Sequence, residues 1–230
     1  DKMKEYFDKI EEDVGKIYDI AINARKIGID PDIKVECPQA RDMAGRVEQL
    51  VGPEGIGDYL RKWKEEGEDQ DELCFRSMDL ILEGKIPKEK NFPEAKKVDL
   101  AIRVALAIKT EGVVSAPLEG IGQIIIRENK LGGKPYLALY FAGPIRAAGG
   151  TVQAFAVLCA EYVRKKMNIA KWVATDEEVG RMVEEVKLYD RIMNLQYPST
   201  KEELEFAVQH LTVELNGEPT ERREVSAHRD

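Results

Sequence analysis

The sequence predicts an α+β fold, a helix-rich mixed domain with a small antiparallel sheet packed by helices. Apolar residues recur at helical spacing through most of the chain. Two β-rich runs, IGQIIIREN and PYLALYFAG, flank a KLGGK turn and predict a hairpin over about residues 121–142. The grouping of these patterns predicts a helical subdomain over residues 1–84 and an α+β subdomain over residues 85–230.

The first element is an amphipathic helix that ends near Gly28, with Arg25 and Lys26 at the end where the helix dipole favours cations. Apolar residues follow a heptad seam along it, at Met3, Phe7, Ile10, Val14, Ile17, Ala21 and Ala24. Because Gly15 weakens the helix by about 1 kcal/mol relative to alanine, the seam needs a surface to lie on. That surface is the rest of its own domain or another chain, and Met3, Phe7, Ile10, Val14 and Ile17 are the predicted assembly residues.

Helical patterns continue through the first half of the chain. The segments QARDMAGRVEQLV, EGIGDYLRKWKEE and DQDELCFRSMDLILEG predict three short helices, the last capped by Asp69 or Asp71. A lysine-spaced linker then leads to a longer helix that ends at Thr110, with Pro93 in its first turn.

After the hairpin the chain predicts a loop and more helices. YFAGPIRAAGGT leaves a strand and enters a helix that ends in RKKM. DEEVGRMVEEVKLYDRIMNL predicts the next helix, and STKEELEFAVQHL predicts another with a capping box at Ser199 or Thr200. LTVEL predicts a short final strand.

Composition narrows the class of protein. Hydrophobic residues make up 43% of the chain and no run of eighteen apolar residues occurs, so no membrane insertion is expected. Cys37, Cys74 and Cys159 lie far apart without paired spacing, which predicts neither disulfides nor a zinc site and favours the cytoplasm. His210 and His228 have no metal-ligand spacing. The chain starts without methionine, so we expect a piece of a longer protein.

Charge is distributed unevenly along the chain. The overall net charge is -8, which alone argues against nucleic acid. Residues 1–83 hold 13 basic and 22 acidic groups, residues 84–175 hold 15 and 7, and residues 176–230 hold 7 and 14. The basic middle predicts a local field that attracts a polyanion, although chance clustering on a solvated surface explains it equally well.

The glycine loop between residues 142 and 151 is the strongest candidate for an anion site. It is not a P-loop, because five residues separate Gly143 from Gly149 and the lysine position holds Gly150. Its glycines permit close backbone approach and Thr151 is a candidate helix cap. The alternatives are a purely structural turn with close packing, or a site for a small phosphorylated ligand. The predicted DNA or phosphate-binding residues are Arg146, Gly149, Gly150, Thr151, Arg164, Lys165, Lys166 and Lys171.

The segments YFAGPIRAAGGT, VLCAEYVRKKMNI, DEEVGRMVEEVKLYDRIMNLQYPSTKEELEF and YFDKIEEDVGKIYDIAINARKIGIDP together resemble the amino-terminal region of the large subunit of archaeal family D DNA polymerase. The resemblance covers nearly the whole chain. It implies a replicative nucleotidyltransferase whose partners are DNA and a small 3'-5' exonuclease subunit, with self-association also open. It further implies that the catalytic aspartates and zinc modules lie downstream, that Mg²⁺ serves the full polymerase, and that no cofactor or metal belongs to this region.

Overall fold

The computed structural model describes residues 2–31, 40–87, 90–111, 115–129 and 132–217, and only the backbone of residues 115, 116 and 146–148. Its contacts separate residues 1–39 from residues 40–230. The described part of the first unit is dominated by one helix, α1, over Lys2–Lys26. Gly28 has a φ of +77° and follows the last turn, as the sequence predicts.

The second unit contains the remaining described helices and a three-stranded sheet. The helices are α2 Met43–Leu50, α3 Ile56–Glu65, α4 Gln70–Leu82, α5 Glu94–Lys109, α6 Gly149–Lys166, α7 Asp176–Met193 and α8 Lys201–Gln209. The strands are β1 Ile121–Arg127, β2 Tyr136–Phe141 and β3 Glu214–Gly217. A π-helical turn covers Ser115–Glu119 and a 3₁₀ helix covers Gly143–Ala148. The helix-rich α+β prediction is confirmed.

Side-chain caps fix where several helices begin. Asp69 accepts a hydrogen bond from the backbone N–H of Glu72, whose carboxylate accepts one from the N–H of Asp69 (both 2.9 Å), so α4 starts with a capping box. Thr200 and Glu203 form the same arrangement at α8. The sequence leaves two candidates for each cap, Asp69 or Asp71 for α4 and Ser199 or Thr200 for α8. In the structure the caps are Asp69 and Thr200.

The sheet separates two apolar clusters. The larger one combines α2–α6 with one sheet face and includes Met78, Ile102 and Leu139. The smaller one lies on the other face, where Tyr136 and Trp172 pack with residues of α7 and α8. Because both faces of the sheet are covered, β2 is buried along almost its whole length.

The topology corrects one part of the prediction, since the sheet is mixed and not purely antiparallel. β1 pairs antiparallel with β2, with a bulge between Ile121 and Gln123, and the predicted hairpin is confirmed. β3 pairs parallel with β2, placing Ala138 opposite Glu214. The chain crosses over through α6, α7 and α8 before β3 and so returns in the direction of β2. β3 also begins later than the predicted LTVEL strand.

The predicted boundary between residues 84 and 85 stays a prediction. The helices on its two sides, α4 and α5, pack together in the larger cluster. Cys74 Sγ donates to the Ala105 carbonyl (3.3 Å), and Gln70 Nε2 donates to the Ile108 carbonyl (3.0 Å). The two helices therefore share core and polar contacts.

No helix within the described ranges has the length and apolar character needed to cross a membrane. The same residues contain no group of three or more His, Cys, Asp or Glu side chains that could hold a metal ion.

Candidate nucleic-acid interface

The glycine loop connects β2 to α6 as the sequence predicts. Ala142 follows the strand, and its N–H donates to the Gly120 carbonyl (3.0 Å). The 3₁₀ helix Gly143–Ala148 comes next and leads directly into α6. Ile145 is buried and anchors the loop, and Gln153 Nε2 in α6 donates to its carbonyl (3.4 Å). The loop is therefore a short helical connection held at both ends.

Packing explains only part of the glycine content of this loop. Gly149 has a φ of +82°, which strongly favours glycine at the start of α6. At Gly143 and Gly150 φ is not positive, and an added Cβ would meet no heavy atom of the described chain within 4 Å. Packing among the described residues therefore does not require glycine at these two positions. Among the described residues, the space beside Gly143 and Gly150 is open.

Thr151 and Arg146 are the two polar residues of the loop to which the sequence analysis gives a role. Thr151 is exposed at the third residue of α6, so it lies inside the helix and is not the N-cap that the sequence suggests. The side chain of Arg146 lies outside the described part of the structure. Its role as an anion ligand stays a prediction.

Arg164 is a structural residue. It is 7% exposed, and its Nε and Nη2 atoms donate to the two carboxylate oxygens of Glu161 at 2.6 and 2.7 Å. Its Nη1 donates to the Ile169 carbonyl at 2.8 Å. The bidentate pair holds the pKa of Glu161 well below its usual range, at about 2. All three guanidinium nitrogens of Arg164 thus stabilise the end of α6 and the chain that follows it.

The neighbouring lysines also meet carboxylates. Lys166 Nζ lies 3.0 Å from Asp79 on α4, and Asp79 also accepts a hydrogen bond from the Tyr162 hydroxyl at 2.8 Å. This pairing raises the pKa of Lys166. Lys165 is more accessible, with its Nζ 3.4 Å from Glu161. Lys171 is exposed and has no ion pair among the described residues.

Much of the basic middle is therefore neutralised by the fold. Acidic residues of α4, which belong to the acidic first third of the sequence, reach across to α5 and α6. Lys109 pairs with Asp71 at 2.5 Å as Lys166 pairs with Asp79. Lys165 and Lys171 are the predicted site residues whose ammonium groups are best placed to meet a phosphate.

The predicted assembly residues lie on α1, and no residue of this helix is buried. Phe7, Ile10 and Ile17 project from the helix, and Ile17 is 66% exposed. Met3 is also exposed, and Val14 is half-buried. The apolar surface is wider than the predicted seam, since Tyr6 and Ile20 beside it are exposed as well.

One polar cluster has no counterpart in the sequence analysis. Glu214 of β3 is buried and accepts hydrogen bonds from the Tyr136 hydroxyl (2.7 Å) and Asn216 Nδ2 (2.6 Å). Arg127 of β1 lies 3.6 Å from the same carboxylate. Burial and the Glu214 carboxylate raise the pKa of Tyr136. The three strands that supply this cluster are separated in the sequence, so no local sequence pattern predicts the cluster.

Known proteins of one family match this chain over nearly its whole length. A family model described as "DNA polymerase II large subunit DP2, N-terminal" matches residues 5–230. The DNA polymerase II large subunit of Thermococcus kodakarensis is 46% identical over 100% of this chain, which covers 13% of that protein.

Other relatives give the same result. The DNA polymerase II large subunit of Archaeoglobus fulgidus is 42% identical over 100% of this chain and 19% of its own length. That of Methanococcus maripaludis is 46% identical over 99% of this chain and 20% of its own length. The chain thus spans about a fifth or less of these relatives. It belongs to the family of archaeal DNA polymerase II large subunits and corresponds to their N-terminal region.

Proposed function

We propose that this region assembles the polymerase through α1 and assists DNA binding, without taking part in nucleotide transfer. The observation that carries the proposal is the exposed apolar face of α1, a 25-residue helix with no buried residue. Apolar surface of this extent is typical of an interface. The family membership supports a partner within the polymerase.

The shape of the α1 surface favours a groove on another subunit over a two-stranded coiled coil. In a two-stranded coil the positions beside the seam usually carry charges that pair between helices. Here Tyr6 and Ile20 occupy such flanking positions and are exposed. A face of this width is buried fully only when it contacts more than one element. We infer that the small exonuclease subunit provides that groove.

The DNA contribution is supported by the surface at the two ends of α6. Gly143 and Gly150 leave room for close approach at the start of the helix, and Lys165 and Lys171 are exposed near its end. Contacts of this kind hold phosphates and do not read base sequence. The alternative is a small phosphorylated ligand in the loop, which the same space beside Gly143 and Gly150 would admit.

In this proposal the catalytic aspartates, and the Mg²⁺ that they would bind, belong to the remainder of the large subunit. The proposed location of the assembled polymerase is the cytoplasm.

Substitution on α1 tests the assembly role. Ile17→Asp places a charge in the apolar face, whereas Asn23→Asp places the same charge at an exposed polar position about 120° around the helix axis from Ile17. Burying an isoleucine contributes about 2 kcal/mol, so we expect Ile17→Asp to weaken binding of the small subunit about 30-fold. Asn23→Asp should leave binding within about twofold. Isothermal titration of the small subunit into each variant measures both.

Equal affinity of the two variants would contradict the proposal. If the small subunit binds all variants equally while Ile17→Asp lowers the mass of the chain in light scattering, α1 instead joins two copies of this chain.

A further inference from the structure

Three segments of the chain meet at one end of the sheet, where β2 begins at Tyr136. Arg127, the last residue of β1, is the antiparallel partner of Tyr136. On the other side of β2, Ala170 forms a parallel bridge with Tyr136, and its N–H donates to the Pro135 carbonyl (3.0 Å). Because neighbouring strands lie about 5 Å apart, the three segments form a row about 10 Å wide.

The exposed side chains around this row are mainly basic. Lys134 in the hairpin turn and Lys171 after the bridge residue are exposed, and neither has an ion pair among the described residues. Lys165 lies close by, because the last turn of α6 hydrogen-bonds to the chain that leads to the bridge. Glu128 is an exposed carboxylate in the same place, so cations outnumber carboxylates there. We call Arg127, Lys134, Lys165 and Lys171 the rim cations.

Arg127 differs from the three lysines because the fold holds its side chain in place. Its Nη1 donates to the Tyr140 hydroxyl (2.5 Å) and lies 3.6 Å from the Glu214 carboxylate. The side chain is still 42% exposed, and the described residues provide no partner for its Nε and Nη2. A guanidinium fixed in this way offers a planar pair of donors, which suits two oxygens of one phosphate.

The same end of the sheet has no ring on which a base could stack. Its aromatic side chains, Tyr136, Tyr140 and Trp172, are all buried. Proteins that hold single-stranded nucleic acid usually stack the bases on exposed aromatic rings. Exposed rings of the second unit, such as Tyr197 and Phe206, belong to residues 176–230, which carry a net negative charge. The surface with accessible cations is therefore suited to phosphates and not to unpaired bases.

We propose that the rim cations bind the backbone of double-stranded DNA, with Arg127 and Lys134 adding to the contacts of Lys165 and Lys171. This inference rests on the proposed DNA role of the region, and it names the form of DNA and two further ligands. Duplex DNA carries one phosphate per 1.7 Å of its axis, so it presents more negative charge to such a surface than a single strand does. Contacts of this kind do not read the base sequence.

Lys134→Ala tests the proposal without disturbing the core, because Lys134 is exposed in a turn. We expect the dissociation constant for a short labelled duplex to rise about 2- to 5-fold at physiological salt. The salt dependence should flatten by about one unit, for one lost phosphate contact. The matched control is Lys62→Ala on α3, a side chain that is 70% exposed on a helix that packs against α2 and α4. It should leave both quantities unchanged.

Arg127→Lys tests the guanidinium. The variant keeps a positive charge beside Glu214, so the fold is retained, but it loses the planar pair of donors. We expect duplex affinity to fall about 2- to 5-fold with an unchanged salt dependence, since the charge is still present. Fluorescence anisotropy of the 230-residue chain across a salt series measures all variants. An unlabelled duplex should displace the labelled one at a lower concentration than a single strand of the same length.

Several results would overturn the proposal. These are unchanged duplex affinity in both Lys134→Ala and Arg127→Lys, an equal loss in Lys62→Ala, or a single strand that competes as well as the duplex. If Lys165→Ala/Lys171→Ala weakens binding while the variants of Lys134 and Arg127 do not, this inference fails and the proposed DNA role stands. If none of these variants weakens binding, both fail.

Discussion

The pair between Glu161 and Arg164 should make the stability of the second unit depend on pH in the acid range. Arg164 holds the pKa of Glu161 at about 2, against 4.5 for an unperturbed glutamate. One pKa unit corresponds to about 1.4 kcal/mol, so the full shift corresponds to about 3 kcal/mol. Because 20% of the Glu161 side chain remains exposed, we expect about 2 kcal/mol.

The sign follows from the direction of the shift. A carboxylate whose pKa is lowered by folding stabilises the protein above the unfolded pKa. This stabilisation is lost as pH falls from about 4.5 towards about 2. Glu161→Gln removes it, so the variant should be about 2 kcal/mol less stable at pH 7 and approach the parent chain near pH 2. The free energy of unfolding is measured by urea denaturation at pH 7, 5, 4 and 3.

A matched control is Glu185→Gln on α7, where the carboxylate is 68% exposed and lies 3.6 Å from Arg181. This surface pair should contribute about 0.5 kcal/mol or less. A constant difference between Glu161→Gln and the parent chain from pH 7 to pH 3 would refute the electrostatic reasoning. Equal stability of the two variants at pH 7 would refute the structural role of Arg164.

Two further predictions concern DNA binding and thiol reactivity. The double variant Lys165→Ala/Lys171→Ala should reduce affinity for a labelled primer-template and flatten the salt dependence by about two units, about one for each lost phosphate contact. Lys166→Ala should have a smaller effect because Asp79 already pairs with that ammonium group. Fluorescence anisotropy across a salt series measures the DNA affinity of both variants. Unchanged binding of the double variant would exclude Lys165 and Lys171 as the DNA site. Burial raises the pKa of Cys74 to about 12 and that of Cys159 also, so neither thiol should react with a disulfide reagent at pH 8 until urea unfolds the protein. Rapid modification of either thiol in the native chain would contradict its burial.

The helices of this protein are largely determined by local sequence. The apolar spacing of α1, α4 and α5 and the residues that cap α4 and α8 act within a few positions of one another. The hairpin between β1 and β2 is equally local, since a glycine turn joins two β-rich runs. Periodicity and turn chemistry therefore predict these elements, although they leave the choice between Asp69 and Asp71 open.

The candidate site was harder to predict because its charges meet across long sequence separations. The sequence places the cations of the middle segment far from the carboxylates of the first third. Only the packing of α4 against α5 and α6 brings Asp71 to Lys109 and Asp79 to Lys166. A charge count along the chain shows which segment is basic, but it does not show which carboxylates pair with its lysines in the folded protein. The positive field expected from the sequence is consequently reduced at these positions.

Contiguous residues are enough to identify the family, the helical segments, the hairpin and the amphipathic character of α1. The parallel pairing of β3 with β2, the burial of Glu214 against Tyr136 and the bond from Arg164 to the Ile169 carbonyl appear only in the folded chain. Each of these depends on where the chain returns after a crossover or a turn. The path of the returning chain is set by the burial of apolar surface over the whole unit, and no single segment of the sequence specifies that path.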